Sequence, residues 1–342
     1  METVTVNRAP APTWNRLGLN DITVRLPELP DTPALISGLP AGVTLHRLDR
    51  VCDGDRATAL GAEVCGLSDG GISISGNSDD AAHLGLAYTG NAAETVLLRA
   101  EKGARLNVIM YVTAENAASL RTFAEVGENA SIRLVQVFEG GENSLFLNDT
   151  GAQVADSGKF DITQIFLGGA LTVTGVNAEL DGYRSEIDCK LGYLLGGTEK
   201  LDINNIVLHK GKKSRSDTKV TGVLSGNSEK LFRGTIDFKN GASGSVGAET
   251  EDVLLMNEKV VNKTVPVILC AEEDVEGSHG ASIGRLADDV LYYMTARGIP
   301  LEKAYELMAA SRLENLIRSI GDEKTAERAL AALDRRSGYA AL

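Results

Sequence analysis

Gly103-Ala104-Arg105-Leu106-Asn107-Val108 returns 26 positions later as Asn129-Ala130-Ser131-Ile132-Arg133-Leu134, and Lys159-Phe160-Asp161-Ile162-Thr163 follows at roughly the same interval. Each copy alternates apolar and polar residues with a period of two, the mark of a β-strand with one buried face. Similar runs stand at Ile72-Ser73-Ile74-Ser75, Glu186-Ile187-Asp188-Cys189, Leu201-Asp202-Ile203-Asn204 and Phe232-Arg233-Gly234-Thr235-Ile236-Asp237-Phe238. Repeats of roughly 20 to 50 residues made only of strands imply a solenoid, a propeller or a sandwich. The two-residue hairpin signals that a meander needs are few. Aromatic residues make up only 5% of the chain, which suits thin coils filled by Val, Ile and Leu. The expectation is a mainly β chain wound as a parallel β-helix, with a β-sandwich left open as the alternative.

Proline placement points the same way. Of 8 prolines in 342 residues, six precede residue 41, and the others are Pro266 and Pro300; residues 41–265 contain none, although the chain holds 37 glycines. Glycine permits tight corners, whereas proline removes a donor from a strand that is hydrogen-bonded on both sides. A disordered or loop-rich chain would use both residues.

Charge bounds the partners. With 34 Lys+Arg against 47 Asp+Glu the net charge is −13, and the nine basic and nine acidic residues of 285–342 cancel, so the excess lies in 1–284. An acidic body argues against binding nucleic acid through its phosphates and against an anionic membrane surface. No run approaches the roughly 18 apolar residues of a membrane span. Met1-Glu2-Thr3-Val4-Thr5 lacks the features of a secretory signal, and Cys52, Cys65, Cys189 and Cys270 are scattered. Both traits fit a reducing, cytoplasmic setting.

Three parts are expected: an N-terminal lead-in (residues 1–40), a β-helix core (41–284) and a C-terminal helical segment (285–342). The lead-in carries the sole tryptophan, Trp14, read as a packing anchor, with a binding-site role as the alternative. After Gly284 the apolar period becomes about 3.6. Leu286, Val290, Leu291 and Met294 share one helix face, closed by Gly298, and Pro300 opens a second helix with Ala304, Tyr305, Met308, Leu316 and Ile317. Gly321 ends that helix, and Asp322 caps a third through Ala326, Ala329, Leu330 and Leu333. These helices would either cover the open end of the solenoid or dock a partner.

Chemistry-bearing motifs are sparse. There is no phosphate-cradling Gly-x-x-x-x-Gly-Lys-Ser/Thr loop, no His-Glu-x-x-His and no Cys-x-x-Cys. His46 and His83 read as surface or structural residues. His209 precedes Lys210, Lys212, Lys213 and Arg215, the only dense basic run of the body, and reads as part of a solvated loop. His279 follows Glu272, Glu273, Asp274 and Glu276 where strand gives way to helix. An imidazole beside carboxylates can hold a cation, with His279 and Glu276 or Glu273 as ligands. The alternative is a solvated acidic loop whose histidine caps the next helix. Cys270 ends the strand leading into this loop and reads as a buried structural thiol or a further ligand.

Several pieces of this region resemble the SufB/SufD family of iron–sulfur cluster assembly proteins. In order they are Phe232-Arg233-Gly234, Glu249-Thr250-Glu251-Asp252-Val253-Leu254-Leu255-Met256, Val265-Pro266-Val267-Ile268-Leu269 and Asp274. They continue with Ser278-His279-Gly280-Ala281-Ser282-Ile283-Gly284, Leu286, Leu291-Tyr292-Tyr293 and Arg297-Gly298-Ile299. His209 with Ser214 and Ser216 fits a further feature of that family, and Thr13-Trp14-Asn15-Arg16-Leu17 looks like the start of its short prokaryotic members. The resemblance implies a right-handed parallel β-helix that pairs with itself or with a SufB/SufD paralogue. It also implies a SufC-like ABC ATPase on the C-terminal helices, with Arg285, Tyr292 and Arg297 as partner-binding candidates. A transient iron–sulfur cluster would form near His279. Relatives carry Cys two residues before this histidine, where this chain has Gly277; Glu276, Glu273, Cys270 or Cys189 would then have to join His279. Three functions follow: a non-enzymatic cluster scaffold, a SufD-like structural subunit that anchors the ATPase without a cluster, or a β-helix polysaccharide lyase or hydrolase.

Overall fold

The computed structural model describes residues 2–11, 15–30, 35–49, 58–61, 64, 67–68 and 70–337; Trp14, Cys52 and Cys65 lie outside them. The first strands are β1 (Glu2–Val6), β2 (Ile22–Leu26), β3 (Leu35–Gly38), β4 (Val43–Leu48), β5 (Gly71–Gly76), β6 (Ala81–Tyr88), β7 (Ala92–Ala100) and β8 (Arg105–Ala114). The middle of the chain gives β9 (Ala117–Val126), β10 (Ser131–Gly140), β11 (Leu145–Val154), β12 (Lys159–Leu167), β13 (Leu171–Leu180) and β14 (Glu186–Leu195). The last six are β15 (Lys200–His209), β16 (Arg215–Leu224), β17 (Glu229–Phe238), β18 (Ser245–Leu255), β19 (Val261–Cys270) and β20 (Val275–Gly284). Three helices follow: α1 (Asp288–Ala296), α2 (Leu301–Arg318) and α3 (Glu323–Ser337).

From β5 onward successive strands alternate between two nine-stranded sheets, so the chain climbs through about eight turns of a parallel solenoid. The even sheet runs from β3 through β6 to β20, and the odd sheet from β4 through β5 to β19. Parallel pairing between successive coils excludes the antiparallel sandwich. The repeats fall into register as their spacing suggests: Arg105 pairs with Ser131, Ser131 with Lys159, and Lys159 with Glu186. The Leu201 and Phe232 runs belong to the other sheet, where Ile203 pairs with Phe232. What reads as one repeat in sequence is therefore two interleaved series.

Alternate residues of each strand face the lumen, and these form the main core, with Leu106, Ile132, Phe160 and Ile187 on successive rungs. Phe138 and Phe146 stack across it, ring centroids 3.9 Å apart. Burying each such side chain contributes about 1.5–3 kcal/mol.

Both outer flanks are also covered. On the even sheet, Ala309, Ala310, Leu313 and Ile317 of α2 and Ala329 and Leu333 of α3 pack on Val135, Ile165, Leu194, Val223 and Leu254. The helices thus cover a flank of the solenoid rather than its open end, because the outward residues in the second half of the even strands, Val135, Val137, Ile165, Leu194 and Val223 among them, are themselves apolar. Arg133 Nη2 donates to the carbonyls of Ser319 and Ile320 at 2.8 and 2.7 Å, satisfying the end of α2. Asp322 caps α3 by accepting the Thr325 N–H at 2.8 Å. On the odd sheet, the antiparallel β1–β2 ribbon together with Ala59, Leu60 and Val64 packs on Leu147 and Val173. Buried Arg233 pins this layer, donating to Asp202 at 2.6 Å and to the Leu19 carbonyl.

The two ends of the solenoid differ. At the first, β3 and β4 run antiparallel to β6 and β5. At the last, β19 and β20 are the outermost strands, and β20 is exposed along nearly its whole length.

Candidate functional site

His279 lies in the middle of β20, not in a loop and not at a helix cap. The run Glu276-Gly277-Ser278-His279-Gly280-Ala281-Ser282 has few β-branched residues and so reads as a turn. Pairing with β18 holds it extended: Glu249 pairs with His279 and Glu251 with Ala281. Ser282 falls within a Gly-x-Ser-x-Gly spacing here, but it sits in the same strand rather than at a strand-to-helix elbow.

Strand alternation sorts the candidate residues. His279 shares the inward face with Gly277, whereas Glu276 projects to the opposite face, so the two do not converge within one chain. Glu273 stands exposed in the connection between β19 and β20. Cys270 is an exposed thiol rather than a buried one, since it ends the last strand of the odd sheet; its Sγ donates to the Glu272 carbonyl at 3.0 Å. A Cβ placed on Gly277 would meet Phe238 at 3.1 Å and Ile268 at 3.2 Å. A side chain at 277 would therefore point toward the lumen rim and need those neighbours to give slightly. Among the described residues, no three His, Cys, Asp or Glu side chains are grouped to hold a metal ion.

Below this rim lie charged residues that sequence reading missed. Lys230 of β17 is fully buried, ion-paired with Glu251 and donating to Thr264 Oγ1 at 3.0 Å. Thr264 Oγ1 in turn donates to Glu251 Oε2 at 2.6 Å. Glu249 is buried beside them, and burial, reinforced by Glu251, pushes its carboxyl up to about 7. Gly234 makes the space, because a Cβ there would sit 1.8 Å from Glu249 Oε2. In register, Cys189, Thr218, Glu249 and His279 form one inward-facing column on β14, β16, β18 and β20. Burial pushes the Cys189 thiol up to about 12, so it stays protonated and inert. The signal available in sequence was Glu-Thr-Glu at positions 249–251, two carboxylates on one face of a buried strand.

His209 is another departure. It is fully buried at the end of β15 rather than in a solvated loop, with Nδ1 and Nε2 at 2.7 and 2.9 Å from the hydroxyls of Ser214 and Ser216. Its ring lies against Phe238, and burial lowers its pKa to about 4, so it is neutral at pH 7. His46 is exposed, and half-buried His83 stands 3.7 Å from Asp322.

The partner-binding candidates lie on an outward-facing strip. Arg285 pairs with Glu258 at 3.1 Å, and Arg297 lies 4.3 Å from the Tyr293 ring centroid. Tyr292 is 76% exposed, and α1 buries none of its residues. Leu286, expected in the first helix, precedes it and is buried in the cluster under α2.

Residues 85–311 match the family described as SUF system FeS cluster assembly, SufBD core domain. A chloroplastic SufBD-family iron–sulfur cluster assembly protein of Arabidopsis thaliana is 26% identical over 68% of this chain and 44% of its own length. The iron–sulfur cluster assembly protein SufD of Bacillus subtilis is 26% identical over 61% of this chain and 48% of its own. SufD of Escherichia coli is 25% identical over 69% of this chain and 56% of its own. The chain thus spans about half the length of the curated relatives it matches.

Proposed function

Since the chain belongs to the SufB/SufD family of iron–sulfur cluster assembly proteins, we propose that it is a scaffold subunit of a Suf-type assembly complex. In this reading it works in the cytoplasm, with a SufC-like ABC ATPase docked on the exposed face of α1 and α2. It pairs with a second copy or a SufB/SufD paralogue through the last coil. The reading is supported by the end of the solenoid, where His279 stands on β20, a strand whose outer edge is unpaired among the described residues. An edge strand is a ready template for another chain. His279 alone cannot hold a cluster, and a facing subunit would supply the remaining ligands for this transient cargo. ATP hydrolysis falls to the partner, because this sequence has no phosphate-cradling loop. The family match gives the polysaccharide-lyase alternative no support.

Gly277 favours a second reading, a SufD-like subunit that anchors the ATPase and holds no cluster. Anaerobic reconstitution with iron and sulfide separates the two. The scaffold predicts absorbance from sulfur-to-iron charge transfer that falls in His279→Ala and Cys270→Ala. Absence of that absorbance in the wild-type complex, with the ATPase still co-purifying, selects the anchoring role. A chain that never co-purifies with an ATPase overturns both.

A further inference from the structure

We infer that the corner of the solenoid around Tyr183 is a docking surface for an acidic protein segment. Two stacked corners build it: residues 181–185 join β13 to β14, and residues 210–214 join β15 to β16. The Arg184 N–H donates to the Lys212 carbonyl at 3.0 Å, which places Arg184, Lys212 and Lys213 on neighbouring rungs. Arg215 follows as the first residue of β16. Tyr183 is 42% exposed among them, with the Arg184 guanidinium 5.2 Å and the Lys213 ammonium 5.9 Å from its ring centroid.

The pairing pattern distinguishes this patch from an ordinary solvated surface. None of Arg184, Lys212, Lys213 and Arg215 has an ion-pair partner among the described residues, in a chain of net charge −13. Their neighbours do pair: Lys210 with Glu179 at 2.7 Å, Lys159 with Asp188 at 2.9 Å and Lys239 with Asp237 at 2.6 Å. Arg184 and Lys213 hold left-handed φ values of 56° at a corner position that Gly103, Asn129, Ser157 and Gly244 occupy, also left-handed, in other coils. Glycine adopts this conformation most readily, so glycine at either position keeps the corner while removing its charge.

Arg184 and Lys213 flank the exposed ring, Lys212 and Arg215 stand exposed beside Lys213 in the chain, and the carboxylate of Asp181 in the same corner is taken up by Lys210. Arg and Tyr are enriched at protein interfaces. The occupant is short. A long polyanion such as nucleic acid would run off the patch onto the acidic body, and a bilayer would meet the same repulsion over a wider area. A few carboxylates on a protein segment match the patch in extent and sign.

The test uses the full chain and a fluorescently labelled oligoglutamate peptide, read by anisotropy at low salt. Binding is expected to weaken as salt rises and to weaken by about tenfold in Arg184→Gly/Lys213→Gly. That variant relieves the left-handed backbone, so its thermal midpoint stays equal or rises, which separates lost docking from lost folding. Removing two paired cations elsewhere, in Lys102→Ala/Arg105→Ala, leaves the affinity unchanged. Equal affinity in the glycine variant overturns the proposal, as does tighter binding of oligothymidylate or of phosphatidylserine vesicles than of oligoglutamate.

Discussion

His209 and Glu249 make opposite demands on pH. For His209 the folded pKa of about 4 lies below the unfolded value near 6.5, so its contribution to stability is complete above 6.5 and is lost as pH falls toward 4. For Glu249 the folded value of about 7 lies above the unfolded 4.5, so its contribution is present below 4.5 and is lost as pH rises through 7. Each amounts to about 3 kcal/mol across nearly the same window, and the two oppose each other. Glu249→Gln should therefore give a stability that rises more steeply than wild type between pH 4.5 and 7, measured by urea unfolding; parallel profiles would show that Glu249 is ionised throughout. The Lys230–Glu251 pair poses a different problem, since both charges are out of water. Glu251→Gln strands a buried ammonium and should cost about 3–5 kcal/mol, whereas Lys230→Met/Glu251→Leu should be close to neutral. If denaturant midpoints show both variants equally destabilised, packing rather than charge governs that site.

At the scale of elements, the helical layer shows what a sequence conveys and what it withholds. Apolar spacing, Gly298, Pro300, Gly321 and Asp322 marked three helices and their ends, because these signals are local. The surface those helices cover was not legible. It depends on Val135, Ile165 and Leu194, which lie on three different coils and become one patch only when the coils stack. The strand identity of residues 275–284 was hidden for a related reason: β18 imposes it through pairing, not the side chains of the segment itself. The same holds for Glu249, whose burial depends on Gly234 across the lumen. The mooring of α3 yields a prediction. Gly168 has φ +79°, and the Arg336 guanidinium lies over it while pairing with Glu199. Gly168→Ala should strain the backbone by about 1 kcal/mol and displace Arg336, so that amide hydrogen exchange in α3 accelerates while the lumen strands stay protected. Unchanged exchange in α3 would show that its apolar face alone holds it.

For the whole molecule, the consequential surface is the last coil, which no other described residue covers. Ile268 and Ile283 are exposed there, on β19 and β20, among residues that elsewhere in the solenoid would be core. Under the proposed pairing, Ile268→Asp/Ile283→Asp should leave the fold intact and convert the pair to a monomer in sedimentation velocity. A variant that remains paired would place the contact elsewhere.

The asymmetry of the two ends limits how far such pairing can extend. A rod with bare strand edges at both ends can add copies indefinitely and become a fibre. Here one end is blunted by the antiparallel β4 and by β3, which is four residues long and has a register shift between Ile36 and Gly38. The other end keeps a bare parallel edge, so under the proposed pairing two chains meeting there would consume each other's exposed edge. Growth would then terminate at a pair, with the two His279 strands facing one another at its centre.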